Sequence, residues 1–153
     1  MTETRFASVV WNGGLTDGSG MITYLSSGVV SRLPISWASR TSAHDGKTSP
    51  EELLAAAHAS CFSMALSSRL AKNGTAATQL DVKAEVAFEQ GDSGWKVASS
   101  TLTVRGDVPG IDEARFRELA EDAKDNCPIS QAIKGNVELR VDASLVSGGS
   151  DPT

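Results

Sequence analysis

Between Ser49 and Gly74 the chain carries more than twenty residues with no helix breaker after Pro50. Few sequence features constrain a fold more. Ser49 is a good N-cap, Pro50 suits the first helical position, and Glu52 lies three residues after Ser49 in capping-box spacing. Ala and Leu dominate from Glu51 to Lys72, and Asn73-Gly74 supplies the stop. The helix so predicted is apolar around most of its circumference, so it is expected to be central and buried. The rest of the fold must be built around it.

The flanking segments alternate in character. Arg5 to Trp11 and Met21 to Leu25 are rich in β-branched and aromatic residues, separated by the turn-forming Asn12-Gly13-Gly14 and Asp17-Gly18-Ser19-Gly20. Residues 40–49 read as a polar loop. After the helix, Leu80, Val82, Ala84, Val86 and Phe88 alternate with polar residues, the pattern of a half-buried strand. Gly91-Asp92-Ser93-Gly94 turns the chain into a second strand, Trp95 to Gly106. Its apolar residues change parity between Val97 and Leu102, which predicts a bulge near Ser99 and Ser100. Asp112 opens a helix with Phe116, Leu119, Ala120 and Ala123 at helical spacing. Pro128 interrupts it and begins a short new helix through Ile133. Val137, Leu139 and Val141 form a last strand. This succession is α+β. A single domain is expected over 1–146, with 147–153 a flexible tail.

Composition excludes several functions. The chain has 153 residues, 40% of them hydrophobic, enough for one core without disulfide or metal. Lys and Arg number 14 against 19 Asp and Glu, a net charge of −5. That argues against nucleic acid and against an anionic membrane surface. No stretch is long and apolar enough to span a bilayer, and MTETRFASVV has no signal-peptide pattern, so the cytoplasm is the expected location. No phosphate-binding glycine loop or G-x-S-x-G turn is present, which removes nucleotide chemistry and serine hydrolysis.

Two cysteines remain. Cys61 lies about ten residues into the buried helix, too far from its start for the macrodipole to help. Burial raises a thiol's pKa, so a reactive Cys61 needs a cation brought to it; otherwise it is packing. Cys127 falls at the start of the short helix opened by Pro128, where it is either a favoured thiolate or a small cap residue. His44, His58, Cys61 and Cys127 are a possible metal set, but without the tight paired spacings such sites use. His58 by itself reads as a satisfied polar residue on a packed helix.

The segment SWASRTSAHDGKTSPEELLAAAHASCFSMALS, with the later DNCPISQAI, closely resembles the osmotically inducible protein C and organic hydroperoxide resistance family (OsmC/Ohr). The resemblance runs from Phe6 to Val141, and the arginine of SWASR makes it most like the OsmC branch. It implies antiparallel sheets packed around a long central helix, in an intertwined homodimer with active sites at its interface. It implies a thiol-dependent peroxidase that reduces organic hydroperoxides, and hydrogen peroxide less efficiently. Matched by motif, Cys61 is the peroxidatic cysteine and Cys127 the resolving one. Arg40 is the activating arginine, and Glu51 is the glutamate that orients it. No haem, flavin or metal is implied. The expected partners are the hydroperoxide and an external dithiol, of lipoyl type by resemblance. Two rivals are a thiol redox sensor without turnover and a small-ligand binding protein with inert cysteines.

The chemistry agrees with the residues. Arg40 supplies the cation that Cys61 lacks by position, and it keeps its proton across physiological pH. The capping box occupies Glu52, leaving Glu51 to hold Arg40. Glu51 and Cys61 are ten residues apart on one helix, a rise of about 15 Å with directions roughly 80° apart. The expectation is therefore that Glu51 of one chain serves Cys61 of another, across two antiparallel helices related by a two-fold axis.

Overall fold

The computed structural model describes residues 1–146; the expected tail, 147–153, lies outside the described residues. The order of elements is β1 (Ala7–Asn12), β2 (Ser19–Leu25), β3 (Leu33–Ile35), α1 (Ala38–Thr41), α2 (Pro50–Lys72), β4 (Gln79–Gly91), β5 (Gly94–Asp107), α3 (Glu113–Asn126), α4 (Pro128–Ile133) and β6 (Glu138–Leu145). The chain is α+β, as its sequence indicates. It divides into two compact units, the first Met1–Leu53 and the second beginning at Leu54, with the boundary inside α2.

In the first unit β1, β2 and β3 form an antiparallel sheet in sequence order. Gly20 on β2 is there for space: a Cβ at this position would lie 2.6 Å from the Trp11 ring and 2.7 Å from Ile35. Every residue of β1 is exposed, including Val9 and Val10. The predicted loop over 40–49 begins later than expected, because Arg40 and Thr41 belong to the single turn α1. Serine hydroxyls close that turn. The Ser39 amide donates to Ser36 Oγ, the Ser36 amide donates to Ser39 Oγ, and the Ser39 hydroxyl reaches the Thr48 carbonyl at 2.7 Å. Local side-chain bonds of this kind compete with extended backbone.

The long helix starts where the sequence places it. The Glu52 amide donates to Ser49 Oγ at 3.1 Å, the first half of the capping box. The second half differs: the Glu52 carboxylate accepts from the Thr48 hydroxyl at 2.9 Å. The helix is not buried all round within this chain. His58, Phe62, Leu66 and Leu70, each four residues after the last, form one fully buried stripe, while Met64 is 71% exposed. A stripe repeating every four residues is what one packed face of a helix requires.

The second unit places that stripe in a core with Leu102, Val104, Phe116, Leu119, Ala120, Ala123, Cys127 and Ala143. β4 and β5 form an antiparallel hairpin turned at Asp92-Ser93, where Gly94 takes φ +110°. The bulge falls at Ala98, one residue before the predicted place, since Ala87 pairs with Ser99 but Phe88 pairs with Val97. The extra residue is what lets Val97 and Leu102 keep opposite parity. β6 runs parallel to β5, so this sheet is mixed rather than purely antiparallel. A parallel pair needs a crossover of a dozen or more residues, and α3 with α4 provides it. Phe116 of α3 packs so tightly on β5 that a Cβ on Gly106 would lie 2.6 Å from its ring.

Candidate active site

Arg40 and Glu51 meet within the first unit. Arg40 Nε lies 3.1 Å from Glu51 Oε2, and Nη2 lies 2.6 Å from Oε1, a two-pronged pair. Such pairs fix both distance and plane of the guanidinium. Glu51 is buried and Arg40 partly so. The guanidinium carbon also sits 5.6 Å from the centre of the Trp37 ring, within cation–π range. A cavity of about 360 Å³ opens beside this pair. Trp11, Leu15, Ile35, Trp37 and Pro50 line its apolar walls, and among the described residues Arg40 is its one charged lining residue.

Cys61 and Cys127 meet within the second unit, 66 positions apart in sequence. Both are free thiols; Cys127 is fully buried and Cys61 partly. Burial pushes the Cys61 thiol up. The Ile129 amide, bonded to its sulfur, pulls the other way, and the neighbouring Cys127 thiol adds to the rise. The local environment of Cys61 thus favours the neutral thiol.

Cys127 joins two helices. Its amide donates to the Ala123 carbonyl at 2.9 Å, ending α3, and its sulfur accepts from the Ser130 amide at 3.4 Å, capping α4. Pro128 follows at the first helical position, where a missing N–H costs nothing. The cap role that the sequence left open is therefore present.

His58 is fully buried and satisfied on both sides. Nδ1 lies 2.7 Å from Ser100 Oγ and Nε2 lies 2.8 Å from Ser130 Oγ. Burial lowers its pKa, so the imidazole is held neutral. These two serines are the site residues that sequence reasoning missed. Ser130 carried a faint signal, three residues after Cys127 at cap spacing. Ser100, in the middle of β5, carried none.

The fold and the paired thiols together define a class, a small α+β thiol protein. Residues 43–142 match the family model described as OsmC-like protein, and the chain belongs to that family. It is 37% identical over 139 residues to the peroxiredoxin OsmC of Escherichia coli K12, covering 91% of this chain and 96% of that protein. Among solved structures, the organic hydroperoxide resistance protein OhrB of Bacillus subtilis superposes with a TM-score of 0.69 at 26% identity. That match covers 91% of this chain and 98% of the other. An organic hydroperoxide resistance protein from Elizabethkingia anophelis shares the fold, with a TM-score of 0.72 at 24% identity over 95% of this chain and all of its own.

Proposed function

We propose that this protein is a cysteine-based peroxidase that reduces organic hydroperoxides to alcohols and water. The observation that carries the reading is the meeting of Cys61 with Cys127, two free thiols brought together from distant parts of the chain. The names of its relatives, a peroxiredoxin and organic hydroperoxide resistance proteins, support it.

In this reading Cys61 attacks the peroxide as a thiolate. The peroxide O–O bond breaks, an alcohol leaves, and Cys61 becomes a sulfenic acid. Cys127 condenses with it to a disulfide and water, which stops further oxidation. An external dithiol restores both thiols by exchange; we assign a lipoyl-type dithiol to this role by family resemblance.

Since burial works against the Cys61 thiolate, the reaction needs a cation, and we assign Arg40 to supply it. Glu51 holds the guanidinium in plane, so its donors can also meet the charge that develops on a peroxide oxygen. The apolar cavity beside Arg40 suits the hydrocarbon part of an organic hydroperoxide. Glu51 and Cys61 stand ten residues apart on an unbroken helix. We therefore propose a homodimer in which the Arg40–Glu51 pair of one chain serves Cys61 of the other. The exposed Val9, Val10 and Met64 are consistent with surfaces that a second chain covers. We place the protein in the cytoplasm; among the described residues no helix is long and apolar enough to cross a membrane.

The test is turnover of cumene hydroperoxide, tert-butyl hydroperoxide and hydrogen peroxide with excess dithiol. Wild type is expected to cycle, fastest on the organic peroxides, and Cys61→Ser to be inactive. Substantial activity in Cys61→Ser refutes the mechanism. Consumption that stops after one equivalent in wild type makes the protein a sensor instead.

A further inference from the structure

The mechanism just described makes no use of His58, yet this is the one buried imidazole of the second unit's core, and its hydrogen bonds end on a reacting group. Ser130 Oγ stands between the two. It is 2.8 Å from His58 Nε2 on one side and 3.0 Å from Cys127 Sγ on the other. On the far side of the ring, Ser100 Oγ lies 2.7 Å from Nδ1. The result is a continuous line: Ser100, imidazole, Ser130 hydroxyl, Cys127 sulfur. All of the four side chains are buried.

We infer that His58 is a positioning residue for disulfide formation: through the Ser130 hydroxyl it takes up the proton that Cys127 sheds when its sulfur attacks oxidised Cys61. This rests on the peroxidase reading above and concerns its second step alone.

The chemistry of that step creates the need. Thiolate, not thiol, is the nucleophile, and an ordinary cysteine is only a few per cent ionised at neutral pH. Cys127 is fully buried, so bulk water is not at hand to take its proton. The line of bonds provides an acceptor. In the resting state the thiol donates to Ser130 Oγ, the Ser130 hydroxyl donates to Nε2, and Nδ1–H donates to Ser100 Oγ. Ser100 thereby fixes the tautomer that leaves the Nε2 lone pair facing Ser130. After transfer each bond runs in reverse: Nε2–H donates to Ser130 Oγ, and the Ser130 hydroxyl donates to the thiolate. The Ser130 amide, 3.4 Å from the sulfur, donates to it in both states. The same heavy-atom positions serve both arrangements, so no group has to move.

The step balances. The Cys127 S–H bond breaks, its proton passes to Ser130 Oγ, and Ser130's own proton passes to Nε2. The sulfur's electron pair forms the S–S bond. The S–O bond of the Cys61 sulfenic acid breaks with its pair on oxygen, and the departing hydroxide is protonated to water. The Cys127 sulfur is oxidised and the Cys61 sulfur reduced. The imidazolium is short-lived because burial disfavours it. It passes that proton back through Ser130 to the departing hydroxide, which thereby becomes water and leaves the ring neutral.

A ring that merely filled space in the core would affect folding, not one chemical step, and this separates the two roles. Rapid mixing with one equivalent of cumene hydroperoxide allows Cys61 sulfenic acid to be trapped with dimedone and the Cys61–Cys127 disulfide to be followed by mass. Ser130→Ala cuts the line while leaving the imidazole in place, Ser130→Thr keeps the hydroxyl, and His58→Gln keeps a hydrogen-bonding group without basicity. In Ser130→Ala and His58→Gln the disulfide is expected to form about a hundredfold more slowly, the usual worth of a positioned proton acceptor. Sulfenic acid should still form in the dead time and accumulate. Ser130→Thr should restore the rate. The disulfide step of wild type should show a solvent deuterium isotope effect that His58→Gln loses. If His58→Gln does not fold, Ser130→Ala carries the test. Disulfide formation at the wild-type rate in Ser130→Ala, or equal slowing of sulfenic acid and disulfide formation, overturns the proposal. A wild type that never forms sulfenic acid refutes the peroxidase reading itself, which is a different result.

Discussion

The first unit and the second hold their reactive groups in opposite ways. In the first, a full positive and a full negative charge face each other across 2.6 Å, the arginine remaining partly in water. In the second, thiols, hydroxyls and an imidazole are packed in apolar core, and every one of these groups has a neutral form. Desolvating an isolated charge is far more costly than desolvating a hydrogen-bonded neutral group. A thiol can therefore be stored dry as SH and charged only when needed, whereas a guanidinium must keep solvent or a carboxylate.

That contrast can be broken from either side. The largest effect belongs to the sulfur side: Cys127→Ser should consume about two equivalents of peroxide and then stop, one forming the Cys61 sulfenic acid and the second carrying it to sulfinic acid. Mass spectrometry after excess peroxide checks this, and normal cycling would remove Cys127 from the mechanism. On the charged side, Arg40→Ala should lower kcat/KM for organic hydroperoxide by about 10²- to 10³-fold, the scale of losing one aimed donor to developing charge. Because burial already raises the Cys61 pKa, removing the cation should move its thiolate absorbance to higher pH. Arg40→Lys should recover only part of either loss, since a point charge lacks the planar fork. A smaller change sharpens the geometry. Mixed chains of Cys61→Ser and Glu51→Ala should regain about half of the wild-type rate per heterodimer, one of two sites being whole. No recovery in proven heterodimers would confine the site to one chain. The smallest effect tests the helix start: Ser49→Ala should cost about 1 kcal/mol in urea unfolding, the worth of one cap.

What could be read in the sequence follows from how local each cause is. The start of α2 depends on Ser49, Pro50 and Glu52, all within four residues, and it fell where expected. The β4–β5 hairpin and its bulge depend on parity along one strand and were placed to within a residue. The partner of the Glu52 carboxylate was misjudged because a second donor competes locally, the Thr48 hydroxyl one residue before the cap. The direction of β6 was beyond reach, since nothing in Val137 to Val141 distinguishes a parallel from an antiparallel neighbour. Motif resemblance singled out Cys61, Cys127, Arg40 and Glu51. The two hydroxyls on His58 come from positions 42 and 72 residues away, and no spacing rule reaches that far.

The parallel pairing of β6 with β5 has a consequence for synthesis. The core sheet is ordered β4-β5-β6, so β5 stays an open edge until residues 138–145 have left the ribosome. Through that interval Ala143 is missing from the cluster that seals Cys127. Contacts between segments so far apart in sequence also form slowly. The nascent chain therefore presents both thiols to the surrounding solution before the core can close over them. A peroxide encountered then meets cysteines that the core has not yet covered. Pulse-labelling of ribosome-bound chains with a thiol reagent should find Cys127 open in chains stalled before residue 138 emerges and closed once residue 145 is clear.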